Sequence, residues 1–129
     1  MPEIEHLLTG FHVTVDQGAL ALCTVVLIRG QRNILVDTGH KGRVSMLMES
    51  LNGAGLKPQD IDALLLTHSH WDHTQNVDLF PNAKILMHPK ELEYAESPKA
   101  TDLATARYFH ATLQGHDIEE VAEMFMNIK

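Results

Sequence analysis

The pattern of apolar and polar residues from 11 to 36 is typical of short strands. Residues 11–15 alternate apolar and polar, and residues 20–28 are rich in aliphatic and β-branched side chains, with turn-forming residues at 16–18 between them. This pattern predicts antiparallel strands joined by a short turn. A second turn at 29–32 leads into a short apolar strand at 33–36. The chain is therefore expected to open with a meander of strands.

After residue 40 the period changes to that of a helix. Apolar residues recur at helical spacing from Val44, and the pattern ends at the glycine-containing stretch 52–55, which predicts one amphipathic helix. Residues 63–66 and 84–87 are fully apolar runs typical of strands buried on both faces. Pro89 marks the start of a helix through residue 96. Strands alternating with helices predict an α/β (α+β) fold.

Two further elements are predicted near the C-terminus, a helix over 104–113 and a strand over 123–129. The sequence has no internal repeat, low-complexity tract or linker, so residues 1–129 are expected to form a single domain. The lone cysteine, Cys23, lies in an apolar run, so it is expected to pack as a small core residue, and no internal disulfide is possible.

Charge and hydropathy exclude some classes of partner. The chain carries 10 Lys and Arg against 17 Asp and Glu, a net charge of −7, and no basic run, so nucleic acid is not expected as a general partner. The N-terminus lacks a basic segment followed by an apolar one, and no apolar run approaches the roughly 20 residues that span a bilayer. We therefore expect a soluble, cytoplasmic protein without a membrane partner.

The strongest candidates for a functional site lie in the sequence T-H-S-H-W-D-H, Thr67–His73, directly after a predicted buried strand. Imidazole and carboxylate are ligands that zinc, iron and manganese accept readily. In an extended segment, His68 and His70 point the same way and can reach one ion, whereas Asp72 and His73 follow a turn and face a second point. An isolated His-x-His pair is usually a surface feature, but four such groups in six positions predict a site for two metal ions.

This stretch resembles the H-x-H-x-D-H signature of the metallo-β-lactamase superfamily. Residues 34–39 resemble the family's first motif, and 59–67 and 76–84 resemble the segments that flank its metal loop. The resemblance extends from about Gly10 to the C-terminus. One departure is Gln75, which stands where the family usually has glycine.

The resemblance implies a ligand set and a chemistry. His68 and His70 would bind the first of two divalent ions, and Asp72 and His73 the second, with Asp37 bracing the loop by hydrogen bonds. Zinc is the expected metal, with manganese or iron as alternatives. The family's chemistry is hydrolysis, in which a hydroxide formed between two metals attacks an ester, lactone, thioester or amide, and Asp72 orients that nucleophile.

The resemblance also implies that a part of the family's fold is missing from this sequence. The family's αββα sandwich has two halves, and these residues correspond to the N-terminal half, a mixed sheet with helices on one face, truncated before the later metal ligands. The expected partners are therefore a small-molecule substrate and either the missing C-terminal half or a second copy of the chain. Candidate pocket residues are Tyr94, Tyr108 and Phe109.

Three alternatives remain open at this point. One is a non-catalytic metal-binding or dimerising half-domain. A di-iron redox member of the superfamily is less favoured, because such members usually have glutamate where His70 stands, and a phosphodiesterase is weakly disfavoured by the negative charge. Other histidines are less favoured as substitute ligands, and they are His6, His12, His40, His88, His110 and His116.

Overall fold

A computed structural model describes residues 2–67, 69–96, 113 and 116–121 of the protein. The strands are β1 (Glu3–Leu8), β2 (Phe11–Val15), β3 (Gly18–Leu22), β4 (Val25–Arg29), β5 (Asn33–Val36), β6 (Ala63–Leu66), β7 (Lys84–Met87) and β8 (Ile118–Glu120). The α-helices are α1 (Val44–Gly53), α2 (Trp71–Thr74) and α3 (Pro89–Glu96), and 3₁₀ turns span Lys41–Arg43, Pro58–Asp60 and Val77–Leu79. The strand predicted over 123–129 lies outside the described residues, as does the helix predicted over 104–113 except for Leu113, which is helical.

Six strands form a mixed sheet in the order β1-β4-β5-β6-β7-β8, and β2 and β3 form a separate two-stranded hairpin. The pairs β1–β4 and β4–β5 are antiparallel, whereas β5–β6, β6–β7 and β7–β8 are parallel. The parallel strands therefore end at one edge of the sheet. In open sheets of this kind, the crevice at the carboxyl ends of parallel strands is the usual place for a ligand site.

The core lies between one face of the sheet and helices α1 and α3. Its fully buried members include Leu27, Leu35 and Leu64 from the strands and Leu47 from α1, and Ala95 of α3 joins the same cluster. Since residues of both helices pack on the same side-chain layer, the helices cover one face. This arrangement confirms the predicted α/β class with a mixed sheet.

The strand meander differs from the sequence prediction in two ways. The single strand predicted over 20–28 is divided into β3 and β4, because the chain leaves the hairpin at Cys23 and Thr24. The backbone N–H of Gly10 donates to Thr24 Oγ1 at 2.8 Å, which fixes this corner. In addition, residues 3–8, for which no element was predicted, form β1 by antiparallel pairing with β4.

The structure also bears on the question of a membrane segment. Among the residues that it describes, no helix combines the length and the apolar character needed to cross a bilayer.

Candidate metal centre

The candidate site lies where β5 and β6 end, and it includes the residues that follow β6. We name residues 67–73 the histidine loop. His68 lies outside the described residues, so the structure does not place that predicted ligand. His70 is partly buried, and Asp72 and His73 lie on the short helix α2. The backbone N–H of His73 donates to the His70 carbonyl at 3.0 Å, so α2 begins as a tight turn within the loop.

Asp72 and His73 present one ligand atom each to the same point. Asp72 Oδ2 and His73 Nε2 are 3.4 Å apart, and the two side chains are only 13% and 16% exposed. Two ligand atoms bound to one zinc ion at about 2.1 Å, with a tetrahedral angle between them, are separated by about 3.4 Å. The two residues thus fit a shared ion without rearrangement of this pair.

The other ring nitrogen of His73 contacts a buried carboxylate. His73 Nδ1 lies 2.9 Å from Asp37 Oδ2, and the Asp37 side chain is 5% exposed. A proton on Nδ1 that is donated to Asp37 fixes the ring orientation and leaves Nε2 as the atom available to a metal. Hydrogen bonding of this type is the usual outer contact of a metal-binding histidine.

Asp37 also holds the start of the histidine loop. Its carboxylate accepts hydrogen bonds from the Thr67 backbone N–H at 2.8 Å and from Thr67 Oγ1 at 2.6 Å. Its own backbone N–H donates to the Leu65 carbonyl at 2.9 Å. The backbone of Asp37 is left-handed, with a φ of 62°, a conformation that aspartate tolerates better than most residues. Asp37 therefore connects the end of β5 with both ends of the loop.

The proton affinity of His73 reflects this environment. Burial by itself lowers the pKa of the ring, but hydrogen bonds to Asp37 and to Cys23 outweigh it, and the pKa rises from 6.5 to about 10. In the absence of metal, the ring is therefore an imidazolium at neutral pH. Metal binding at Nε2 must displace a proton from this ring.

A buried network fixes the end of the loop to the turn after β5. The backbone N–H and Oγ1 of Thr38 donate to the His73 carbonyl at 2.8 Å and 2.7 Å. Asn76 Nδ2 donates to the carbonyls of Thr38, Gly39 and His40 at 2.9, 3.3 and 3.2 Å. Thr38 and Asn76 are almost fully buried, so these bonds supply the partners that buried polar groups require.

Helix α3 holds the middle of the loop. The backbone N–H and Oγ of Ser69 donate to Glu91 Oε1 at 2.8 Å and 2.9 Å. Ser69 lies between His68 and His70, so this contact restrains the segment that carries both histidines. No sequence pattern indicated a role for Glu91, because acidic residues are common in the first turn of a helix.

Gln75, the departure from the family pattern, has a specific contact. Its Oε1 accepts a hydrogen bond from the Lys41 backbone N–H at 2.8 Å. The side chain thereby connects the residue after α2 with the 3₁₀ turn at Lys41–Arg43. A glycine at this position would lack this connection.

The structure describes some of the remaining predicted residues and leaves others outside the described part of the chain. Tyr94 lies on α3 with 44% of its surface exposed, and Tyr108 and Phe109 lie outside the described residues, as does His110. His40 Nδ1 accepts from the Gly42 N–H at 2.9 Å, and His88 Nδ1 accepts from the Lys90 N–H at 3.1 Å.

The other described histidines lie elsewhere. His6 is exposed on β1. His12 Nε2 is 2.9 Å from Thr14 Oγ1, and His116 Nε2 is 2.9 Å from Asp78 Oδ1. These contacts give His12 and His116 local roles at the surface.

Cys23 is the unexpected neighbour of the candidate ligands. It packs partly buried against the core, as the sequence predicted, but its Sγ donates to the Asp72 carbonyl at 3.1 Å. Cys23, Asp72 and His73 each offer a ligand atom, and these atoms lie within 4.8 Å of one another. Such a grouping involves residues far apart in the sequence, so no local motif predicts it.

Comparisons with known proteins identify the family of this chain. The sequence profile of the Metallo-beta-lactamase superfamily matches residues 19–126. Metallo-beta-lactamase domain-containing protein 1 of Xenopus laevis is 39% identical over 64 residues, which cover 50% of this chain and 28% of that protein. A protein of Methanocaldococcus jannaschii named as a probable metallo-hydrolase is 36% identical over 64 residues, covering 50% of this chain and 32% of that protein.

A solved structure extends the similarity to most of the fold. A crystal structure from Thermotoga maritima, described as a candidate metallo-beta-lactamase, aligns with a TM-score of 0.75 and 28% identity. The alignment covers 93% of this chain and 58% of that chain, and this chain spans about a third of the two curated relatives. Since the family profile covers well over half of the sequence, the chain belongs to the metallo-beta-lactamase superfamily, which includes metal-dependent hydrolases.

Proposed function

We propose that this chain supplies the H-x-H-x-D-H part of a dinuclear metal centre in a hydrolase that cleaves an ester, lactone, thioester or amide. The observation that carries the proposal is the pair Asp72 and His73, whose ligand atoms are 3.4 Å apart. The hydrogen bond from His73 Nδ1 to Asp37 supports it, because it leaves the other ring nitrogen directed at that pair.

Each residue has a defined task in this proposal. Asp72 and His73 hold one ion, and His68 and His70 hold the other, with zinc favoured and manganese or iron as alternatives. When bound, two such ions supply the nucleophile by lowering the pKa of a water molecule toward neutral. Asp72 has a second carboxylate oxygen that can accept a hydrogen bond from the attacking water and so orient it.

The residues around the ligands limit their movement. Asp37 fixes the ring of His73, and Glu91 restrains Ser69 between the two histidines of the first site. A catalytic metal centre requires ligands held in place by outer hydrogen bonds, because small displacements reduce metal affinity and activity. Asp37 supplies such bonds at both ends of the histidine loop, and Glu91 supplies them within it.

We further propose that the remaining ligands come from a following C-terminal half, present in the same polypeptide or as a separate chain, or from a second copy of this chain. The face of the sheet opposite the helices supports this view. Val26 pairs with Val36, and Ile28 with Ile34, on that face, and all four are only partly buried. An apolar surface of this kind is stabilised when another part of a protein covers it.

The pocket for the substrate is proposed on the same edge of the sheet. Tyr94 lies on α3 one turn after Glu91, and its exposed ring offers apolar surface and a hydroxyl group to a small molecule. Tyr108 and Phe109 remain candidates from the sequence. A hydrolase that recognises small substrates typically combines such surfaces with a few polar groups.

Elemental analysis of the complete protein, in which this chain is combined with its C-terminal half, tests the proposal together with assays on ester, lactone, thioester and amide substrates. We expect bound divalent metal in the native complete protein, loss of metal in Asp72→Ala and His68→Ala, and loss of any hydrolysis in both variants. Glu49→Ala, on the exposed side of α1, is the matched control and should retain both. Activity that persists unchanged in the two ligand variants would overturn the proposal.

The same samples separate the rival functions. Iron as the native metal, with oxygen uptake, would indicate the redox alternative, and cleavage of a phosphodiester alone would indicate the nuclease-like one. A stable chain that binds metal tightly and has no hydrolytic activity, even when combined with its C-terminal half, would indicate a non-catalytic module.

A further inference from the structure

The thiol of Cys23 occupies a specific position beside the Asp72–His73 pair. Its Sγ donates a hydrogen bond to the Asp72 carbonyl oxygen at 3.1 Å. One ligand atom each from Cys23, Asp72 and His73 lies within 4.8 Å of the other two. Three groups of different chemistry from two distant segments therefore converge on one point.

The backbone around Cys23 is held from several directions. Arg43, which is 8% exposed, donates from Nη1 to the Cys23 carbonyl at 3.2 Å and from Nη2 to the Thr9 carbonyl at 2.9 Å. The neighbouring residue Thr24 accepts a hydrogen bond from Gly10. A Cβ at Gly10 would lie 2.8 Å from Thr24 Oγ1, so the two segments pass too closely for a larger residue. The position of the thiol is thus fixed by its surroundings.

Cys23 is placed to add a ligand from this chain to the two that the sequence motif offers, alongside those proposed from the C-terminal half. Asp72 and His73 offer two protein ligands to an ion, whereas catalytic zinc usually has three and keeps one further position for water or substrate. A zinc–sulfur bond is about 2.3 Å long, so a tetrahedral ion with one sulfur and two lighter ligands needs separations of about 3.4 to 3.6 Å. The Asp72–His73 separation of 3.4 Å already has this value, and the separations to Cys23 lie within 4.8 Å.

We propose that the thiolate of Cys23 is the third protein ligand of the ion held by Asp72 and His73. On binding, the sulfur–hydrogen bond breaks, the proton leaves to solvent, and the sulfur electron pair forms the bond to the metal. The inference rests on the proposed metal centre and concerns its ligand set and metal preference. A thiolate ligand favours zinc or cobalt over manganese, which prefers oxygen ligands.

The competing arrangement is that the thiol only donates a hydrogen bond to the Asp72 carbonyl and remains protonated when metal binds. In that case, Cys23 would stabilise the histidine loop without contacting the ion. The two arrangements predict different spectra, because only a metal-bound thiolate transfers charge to the metal on absorption of light.

Titration of the chain with Co²⁺ separates these outcomes. Cys23 is the single cysteine of the sequence, so a thiolate-to-cobalt charge-transfer band in the near ultraviolet can arise only from it. We expect this band in the native chain and its absence in Cys23→Ser, with Co²⁺ affinity reduced by more than the roughly 10- to 100-fold typical of losing an outer-shell contact. Bound cobalt without the band in the native chain would overturn the proposal.

The reactivity of the thiol provides a second readout that needs no variant. Alkylation of Cys23 by iodoacetamide should slow at least tenfold when Zn²⁺ is added, and Asp72→Ala should remove the protection. Equal alkylation rates with and without bound zinc would contradict the thiolate ligand. The two proposals can fail separately. A charge-transfer band in a protein without hydrolytic activity would contradict the proposed hydrolase function and leave the thiolate ligand supported.

Discussion

His73 Nδ1 lies 2.9 Å from Asp37 Oδ2, although Asp37 directly follows β5 and His73 lies on α2, after β6. The pair joins the turn after β5 to the helix that follows β6, and it determines which nitrogen of the ring faces the candidate metal. Because Asp37 also accepts two hydrogen bonds from Thr67, its carboxylate connects the first and last residues of the histidine loop.

Substitution of Asp37 should separate its electrostatic role from its backbone role. Asparagine also tolerates the left-handed conformation, so Asp37→Asn should retain the backbone but weaken the acceptor for Thr67 and His73. We expect zinc affinity, measured by competition with a chromophoric chelator, to fall about 10- to 100-fold. Asp37→Ala should in addition lose roughly 1–2 kcal/mol of unfolding free energy because of its φ of 62°. Unaltered zinc affinity in Asp37→Asn would contradict the bracing role.

The raised pKa of His73 predicts pH-dependent stability in metal-free protein. An unfolded histidine titrates near 6.5, whereas the pKa of His73 in the folded chain is about 10. Its stabilising contribution is therefore complete below about pH 6.5 and is lost as the pH rises toward about 10, with a slope of at most about 1.4 kcal/mol per pH unit. Urea unfolding of chelator-treated samples should show the difference in stability between native chain and His73→Gln shrinking across this window.

The control for this pH experiment is His6→Gln, since His6 is exposed on β1. Its stability should follow that of the native chain at every pH. A constant difference between native chain and His73→Gln from pH 6 to 10 would show that the ring does not gain its stabilisation from protonation.

The Ser69–Glu91 contact predicts that helix α3 controls metal affinity. Glu91→Ala removes the acceptor for both hydrogen bonds of Ser69, so the segment carrying His68 and His70 should become less ordered, and zinc affinity should fall by about tenfold. Glu91→Gln retains an oxygen acceptor and should be affected less. Glu93→Ala, an exposed position on the same helix, is the matched control, and an equal effect there would argue for a general change in charge.

The buried amide of Asn76 predicts a large effect on stability. Asn76→Ala leaves the carbonyls of Thr38, Gly39 and His40 without this donor, and we expect a loss of at least roughly 1–3 kcal/mol in urea unfolding. Asn76→Asp has a similar shape but no donor, so it should be at least as destabilising. Asn82→Ala, which removes one exposed hydrogen bond to the Gln59 carbonyl, should change stability by less than about 1 kcal/mol. Similar losses at both positions would contradict the network.

Several elements followed from the sequence because local residues specify them. The helical periodicity from Val44 predicted α1, and the apolar runs at 63–66 and 84–87 predicted β6 and β7 at the bounds observed. Pro89 likewise predicted the start of α3. In contrast, β1 was missed, because its strand state depends on pairing with β4, a partner more than 15 residues away.

The sequence by itself determined the H-x-H-x-D-H motif, the family and the strand after which the loop lies, since these are properties of contiguous residues. Only the tertiary structure decided which distant side chains meet that loop. Cys23 and Asp72 are separated by 49 positions, Asn76 and Thr38 by 38, and Ser69 and Glu91 by 22. Such contacts form because the sheet brings the loops that follow its strands to one edge. No local pattern of hydrophobic or polar residues predicts them.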